Sequence, residues 1–210
     1  MNAIAKEGYP YIIIFAATTI VALLLGGKWM VIAPFVITVF MFYFFRDPER
    51  EIPEGEGLFV SPADGKVIVI KDVFEKEHLK ADVKEISIFM SPFNVHVNRA
   101  PCDGKIKSVQ HNKGKFMAAY KDEASFKNEN IEMTLETKYG GILVRQVAGY
   151  IARRAVCRVK PGDELKRGGR YGIIKFSSRL DVYLPKETEI KVKLGDKVKA
   201  GKTIIGVIGL

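Results

Sequence analysis

The sequence predicts a mainly β protein, a compact barrel/sandwich hybrid of paired hairpins, carried behind an N-terminal transmembrane helical hairpin. Three observations predict it. Two long apolar runs without charge open the chain. Short β-branched runs separated by Asp-Gly and Gly-Asp turns fill the rest. Finally, VKPGDELKRGGRYGII (159–174) echoes VKLGDKVKAGKTIIGVI (192–208). Both segments read Val-Lys-x-Gly-Asp, then Lys, then Gly, then an apolar strand, which suits paired hairpins closing on one another.

The first apolar run, GYPYIIIFAATTIVALLLGG (8–27), matches the roughly 20 residues that span a hydrocarbon core. The second, WMVIAPFVITVFMFYFF (29–45), is shorter, at about 17. Gly26-Gly27-Lys28 is a natural turn between antiparallel helices. Lys6 on one side and Arg46 and Arg50 on the other favour both ends on the cytoplasmic face. A signal peptide would have one shorter apolar core and a small-residue cleavage site. A soluble core hairpin would need a polar face, and almost nothing polar is present.

Residues 1–45 are therefore expected to anchor the chain, and 46–57, RDPEREIPEGEG, to link it to a domain over 58–210. That domain reads as strands. LFVSPADGKVIVI and VKEISIFM carry β-branched runs, and NVHVN alternates, with Val95 and Val97 to one face and Asn94, His96 and Asn98 to the other. GGILVRQVAGYIARRAVCRV is long and β-rich. Residues 113–130 are the least strand-like and read as a loop with a helical turn.

Lys and Arg number 33 against 24 Asp and Glu, a net charge of +9. Such a balance fits nucleic acid or an anionic membrane surface. The apolar N-terminus favours the membrane, so no nucleic-acid partner is expected. Cys102 and Cys157 lack metal-type spacing and read as buried small apolar residues. No H-x-H, H-E-x-x-H, C-x-x-C or Walker A pattern occurs, so no metal is expected.

The residues that invite chemistry are few. His78, in EKEHLK, and His111, in QHNKGK, read as exposed. His96 projects from a rigid strand between two asparagines. Asp64, in SPADGKV, and Asp103, in PCDGK, occupy Asp-Gly turns of a usually structural kind. In KFSSRLDVYLP a serine pair separates the apolar run before it from the charges of Arg179 and Asp181. Ser178 needs a base and an orienting group to act as a nucleophile. His96 and Asp64 can supply them, but spacing alone leaves a membrane-bound serine hydrolase and a non-catalytic lipoyl-like adaptor open. The G-x-S-x-G elbow is absent.

Four stretches, FFRDPER, SPADGKV, FNVHVNRAP and FSSRLDVYLP, lie in the order found in phosphatidylserine decarboxylase proenzymes, and RQVAGYIARRAV fits the same short archaeal and bacterial branch. The chain resembles that family over nearly its whole length. The resemblance implies an inactive precursor that cuts itself between Ser177 and Ser178, giving a large chain 1–177 and a small chain 178–210. Ser178 would become a covalent pyruvoyl group, the cofactor, which forms a Schiff base with the amine of a phosphoserine-headed lipid, phosphatidylserine or archaetidylserine. His96 would be the base and Asp64 the group that orients it. Asn94, Asn98 and Arg99 would border the substrate's phosphate or carboxylate. The resemblance further implies lipid at the membrane surface as partner, a cytoplasmic catalytic domain, and room for a homo-oligomer. Basic residues such as Arg46, Arg50 and Lys66 would favour anionic lipid. One departure stands out: the family usually has Gly before the reactive serine, and this chain has Ser177.

Overall fold

The computed structural model describes residues 4–114, 128–149, 154–176 and 178–209. The chain forms two compact units, Met1–Glu49 and Arg50–Leu210.

In the first unit a 3-10 turn, Lys6–Gly8, leads into α1, Tyr9–Leu24, and α2 follows at Lys28–Phe44. Pro10 sits in the first turn of α1, where its missing N–H costs nothing. Gly26 takes φ +74° in the connection. The helices meet through Thr19 Oγ1 and Thr38 Oγ1, 3.4 Å apart. Their outward faces are apolar: Ile13, Ile14, Leu23, Leu24, Trp29 and Phe35 are all exposed. Lys6–Leu24 is long and apolar enough to cross a membrane, and Lys28–Phe44 is a shorter apolar helix.

The second unit is built from β1 (Leu58–Val60), β2 (Gly65–Glu75), β3 (Ala81–Met90), β4 (Val97–Arg99), β5 (Gly104–Asn112), β6 (Asn130–Thr137), β7 (Gly140–Ala148), β8 (Ala155–Cys157), β9 (Glu164–Leu165), β10 (Arg170–Ile174), β11 (Ser178–Pro185), β12 (Glu189–Ile190), β13 (Lys197–Val198) and β14 (Ile204–Val207). Among the described residues, eight strands form one curled antiparallel sheet in the order β13-β2-β3-β11-β7-β6-β5-β9. Two three-stranded sheets, β1-β14-β12 and β4-β10-β8, complete the unit. The mainly β expectation holds. The central strand β11 is buried along its whole length. Leu180, Val182 and Leu184 face the main core with Ile86, Ile88, Val144 and Ile142.

The internal echo is a repeated structure. Asp163 Oδ2 accepts the Lys160 N–H at 2.9 Å, and Asp196 Oδ2 accepts the Lys193 N–H at 2.8 Å. Gly162 and Gly195 take φ +94° and +92° in these turns, a region that favours glycine. The repeat extends to the Asp-Gly turns. β13 pairs with β2 behind Asp64, and β9 pairs with β5 behind Asp103. Asp64 accepts the Ala200 N–H at 2.8 Å, and Asp103 accepts the Arg167 N–H at 2.7 Å. Two copies of one turn-and-strand unit thus face each other. A Cβ on Gly201 would come within 3.5 Å of Gly168 Cα.

Three expectations need correction. NVHVN does not have one core face and one open face: Val95, His96, Val97 and Asn98 are all buried, because β4, the edge strand beside β10, is covered by the large sheet, where Asn98 meets Gln146 and Met90. His78 is not solvated surface; its Nε2 lies 2.9 Å from Glu132 Oε2, and the side chain is mostly covered. Cys102 is buried, with burial pushing its thiol up to about 12, but Cys157 is only half-buried. The loop expected over 113–130 falls largely on 115–127, outside the described residues, as does part of RQVAGYIARRAV.

Candidate active site

Ser178 opens β11 and is fully buried. It pairs with Met90 of β3 on one side and Ala148 of β7 on the other. Its Oγ lies 3.5 Å from the Met90 sulfur, a weak acceptor. The chain reaches this point round a sharp corner. β10 belongs to a small sheet and β11 to the large one, with only residues 175–177 between them. Phe176 makes the corner with φ +59°, a left-handed conformation that costs a bulky L-residue about 1–3 kcal/mol. Among the described residues of this corner, the left-handed one is Phe176. Ser177 lies outside the described residues.

His96 is fully buried where the chain enters β4. Its Nδ1 lies 2.9 Å from the Asn94 carbonyl oxygen. A carbonyl only accepts, so Nδ1 carries the proton and Nε2 is the basic nitrogen. The His96 carbonyl in turn accepts the Ile174 N–H at 3.3 Å, which ties the histidine to the strand that leads into the Ser178 corner. Two residues on, Asn98 Nδ2 reaches the same Met90 sulfur at 3.9 Å. Gln146 Nε2 donates to Asn98 Oδ1 at 2.8 Å. The fold thus gathers Ser178, Met90, Asn98 and Gln146 into one buried cluster, with His96 one residue before the strand that supplies Asn98.

Asp64 is placed differently. Its carboxylate accepts Arg50 Nη2 at 2.9 and 3.2 Å, as well as the Ala200 N–H. The group that sets the His96 tautomer is the Asn94 carbonyl. Asp64 meets the His96 strand through backbone, since Pro62 of its turn accepts the Arg99 N–H at 3.0 Å. Of the residues expected to border substrate, Asn94 caps its own turn by accepting from Ser91 N and Oγ at 2.9 and 2.8 Å. Arg99 Nη1 donates to the Gly168 carbonyl at 3.0 Å.

Behind Ser178, on the opposite face of β11, lies a buried ionic network. Arg179 donates to Asp181 at 2.5 Å, to Ser87 at 2.8 Å and to Glu85 at 3.2 Å. Arg145 donates to Glu132 at 2.6 Å and to the Tyr183 hydroxyl at 2.8 Å. Burial alone would raise the Glu132 carboxyl, but the Arg145 charge and the His78 hydrogen bond hold it below its ordinary value. Glu77, His78 and Glu132 bring metal-type ligand atoms within 4.8 Å of one another. Asn112 donates to Glu132 there at 2.8 Å, so these groups form part of the same network.

Sequence reasoning missed Gln146 and Met90. Each lies in a strand as one polar or flexible residue among apolar ones. Gln146 had one signal, a lone amide inside the buried run ILVRQVA.

Ser178 is thus a buried hydroxyl just past a strained corner, linked to β4 through the Met90 sulfur that Asn98 also reaches. Comparison with known proteins narrows the class. A family profile described as phosphatidylserine decarboxylase matches residues 37–206. The phosphatidylserine decarboxylase proenzyme of Syntrophus aciditrophicus (strain SB) is 49% identical over 205 residues, 97% of this chain and 96% of that relative. The proenzyme of the same description from Citrifermentans bemidjiense is 50% identical over 212 residues, 98% of this chain and 96% of that relative. One from Desulfotalea psychrophila is 44% identical over 206 residues, with the same coverage. The class is that of the decarboxylases, carboxy-lyases. The chain belongs to the phosphatidylserine decarboxylase family. This membership displaces the adaptor and hydrolase readings.

Proposed function

We propose that the chain is a self-cutting precursor that removes CO₂ from a phosphoserine-headed lipid at a membrane surface. The observation that carries the reading is the placement of Ser178: a fully buried hydroxyl at the start of β11, 3.5 Å from the Met90 sulfur that Asn98 of β4 also reaches. The hydroxyl attacks the carbonyl of Ser177 and the peptide becomes an ester; β-elimination then releases chain 1–177 with a free carboxylate and leaves dehydroalanine at 178, which takes up water and loses ammonia to become a pyruvoyl group at the head of chain 178–210. The residues fit this group. The Ser178 side chain that would be converted already packs on the Met90 thioether. When formed, the pyruvoyl group supplies a ketone that joins the substrate amine and takes up the electrons freed as CO₂ departs.

His96 acts as base on the Ser178 hydroxyl through Nε2, the nitrogen its Asn94 bond leaves basic. Asp64 is a positioning residue that steadies the His96 strand through its turn. Arg99 supplies the positive charge for the head's phosphate or carboxylate. The apolar helices of the first unit hold the enzyme at the bilayer, with both ends cytoplasmic. The reacting atoms are the same in ester and ether lipids, so both phosphatidylserine and archaetidylserine are substrates in this reading.

Intact mass of the purified chain tests the proposal. Two fragments meeting at 177/178 are expected, the smaller one carrying a carbonyl and no free amine. Ser178→Ala is expected to leave one uncut, inactive chain. His96→Ala should slow cleavage by a factor of about 10² or more; cutting at the ordinary rate would remove His96 as the base. Ser177→Gly should mature faster, because glycine relaxes the backbone at the corner.

A further inference from the structure

Gln146 carries a feature that cleavage does not use. On β7 it pairs with Leu180 of β11, two residues from the Ala148–Ser178 pair. Paired residues of antiparallel strands project to the same face, and diagonal neighbours lie about 7 Å apart. Gln146 therefore shares the face of Ser178. It is 1% exposed. Gly172 makes room for it: a Cβ there would come 2.8 Å from Gln146 Nε2 and 2.4 Å from the Val156 carbonyl.

With Nε2 given to Asn98, the amide oxygen Oε1 is left buried without a hydrogen-bond partner. Such an oxygen costs about 1–3 kcal/mol. Its neighbours on this face, Met90, Ala148 and Leu180, have no side-chain donor to offer. The Ser178 hydroxyl goes to sulfur, and it disappears when residue 178 is converted. Among the described residues no donor reaches this oxygen, so the place is open to a donor that arrives with the substrate.

We infer that Gln146 Oε1 accepts a hydrogen bond from the amine of the bound phosphoserine head, and so decides which end of the head meets residue 178. This rests on the decarboxylase reading above. Phosphate and carboxylate are acceptors only, which makes the amine the head's one donor. A carbonyl-type oxygen attracts the amine and turns the carboxylate away. Asn98 is a positioning residue: by holding Nε2 it keeps Oε1 aimed at the site.

The probe is glycerophosphoserine, trapped on the small fragment with borohydride and read by mass. Gln146→Met, similar in length but without the acceptor, is expected to trap it about tenfold more slowly than the unaltered chain. Trapping by Gln146→Met at the unaltered rate overturns the inference. A second arm uses the uncut Ser178→Ala chain, so it survives a cleavage defect. There the paired change Gln146→Met with Asn98→Leu, which removes the Nε2–Oδ1 bond from both sides and strands neither amide, should raise Tm, since an unpaired acceptor has been removed. A fall of several degrees would show that the oxygen already has a donor, and the inference would fail. The unaltered chain serves as control. Absence of a carbonyl-bearing fragment in it would sink the self-processing account, while the melting arm would still judge Gln146.

Discussion

At the residue scale, β11 carries two opposite environments on alternate positions. Ser178, Leu180 and Val182 face one side, while Arg179, Asp181 and Tyr183 face the ionic side. Arg179 is 1% exposed and holds two buried carboxylates, Asp181 and Glu85. Removing one partner of such a group strands the others without water. Arg179→Met is therefore expected to destabilise the fold by about 3–5 kcal/mol, read by urea unfolding of the uncut chain. Glu132 gives a pH signature. Its folded pKa is held below the ordinary value, so its stabilisation is complete above the ordinary carboxylate range and is lost as pH falls through it. Glu75 adds to the same trend: burial raises it, but the backbone N–H groups of Leu79, His78 and Glu77 more than offset this. Tm should drop on acidification below about pH 4, and less steeply in Glu132→Gln. Equal slopes would remove Glu132 from the account.

At the element scale, the repeated turn separates a structural job from a functional one. Asp64 and Asp103 each accept one backbone N–H from the matching place in the echoed segment. Only Asp64 also binds Arg50, and only its turn holds the His96 strand. Losing the shared bond should cost each Asp→Ala variant about 1–3 kcal/mol. Cleavage should slow in Asp64→Ala and remain near the unaltered rate in Asp103→Ala, as judged by fragment appearance on denaturing gels. Equal cleavage rates would reduce Asp64 to a turn residue. Gly65 marks how tightly these elements meet, since a Cβ there would lie 2.2 Å from the Phe89 carbonyl. Gly65→Ala must push β2 off β3 and should lower Tm sharply.

At the scale of the whole molecule, β11, which the proposed cut would make the head of the small chain, is an inner strand of the large sheet. β11 pairs along its length with β3 and β7, and β13 and β14 pair with β2 and β1. Chain 178–210 is thus woven into chain 1–177. The two pieces should co-elute in native buffer and separate only in denaturant; separation in native buffer would contradict this topology. The precursor therefore needs no large rearrangement to remain folded after the cut. The apolar exposed faces of α1 and α2 belong to the other unit, and their proposed anchoring is a matter of membrane partition rather than of sheet assembly.

The sequence by itself determined the mainly β class, the apolar helices, the repeated Gly-Asp turns and the motif order that leads to the family. These are local properties: alternation, uninterrupted apolar length, and turns that only glycine and aspartate make cheaply. Tertiary structure decided the rest. NVHVN reads as half-exposed because one strand's alternation cannot reveal that a second layer covers its polar side. His78 reads as surface because its partner, Glu132, lies far along the chain. The meeting of Ser178, Met90, Asn98 and Gln146 depends on register across two sheets, and the left-handed turn at Phe176 on the corner that joins them. No spacing in the sequence encodes such long-range pairings, because the energy that fixes them appears only when the core closes.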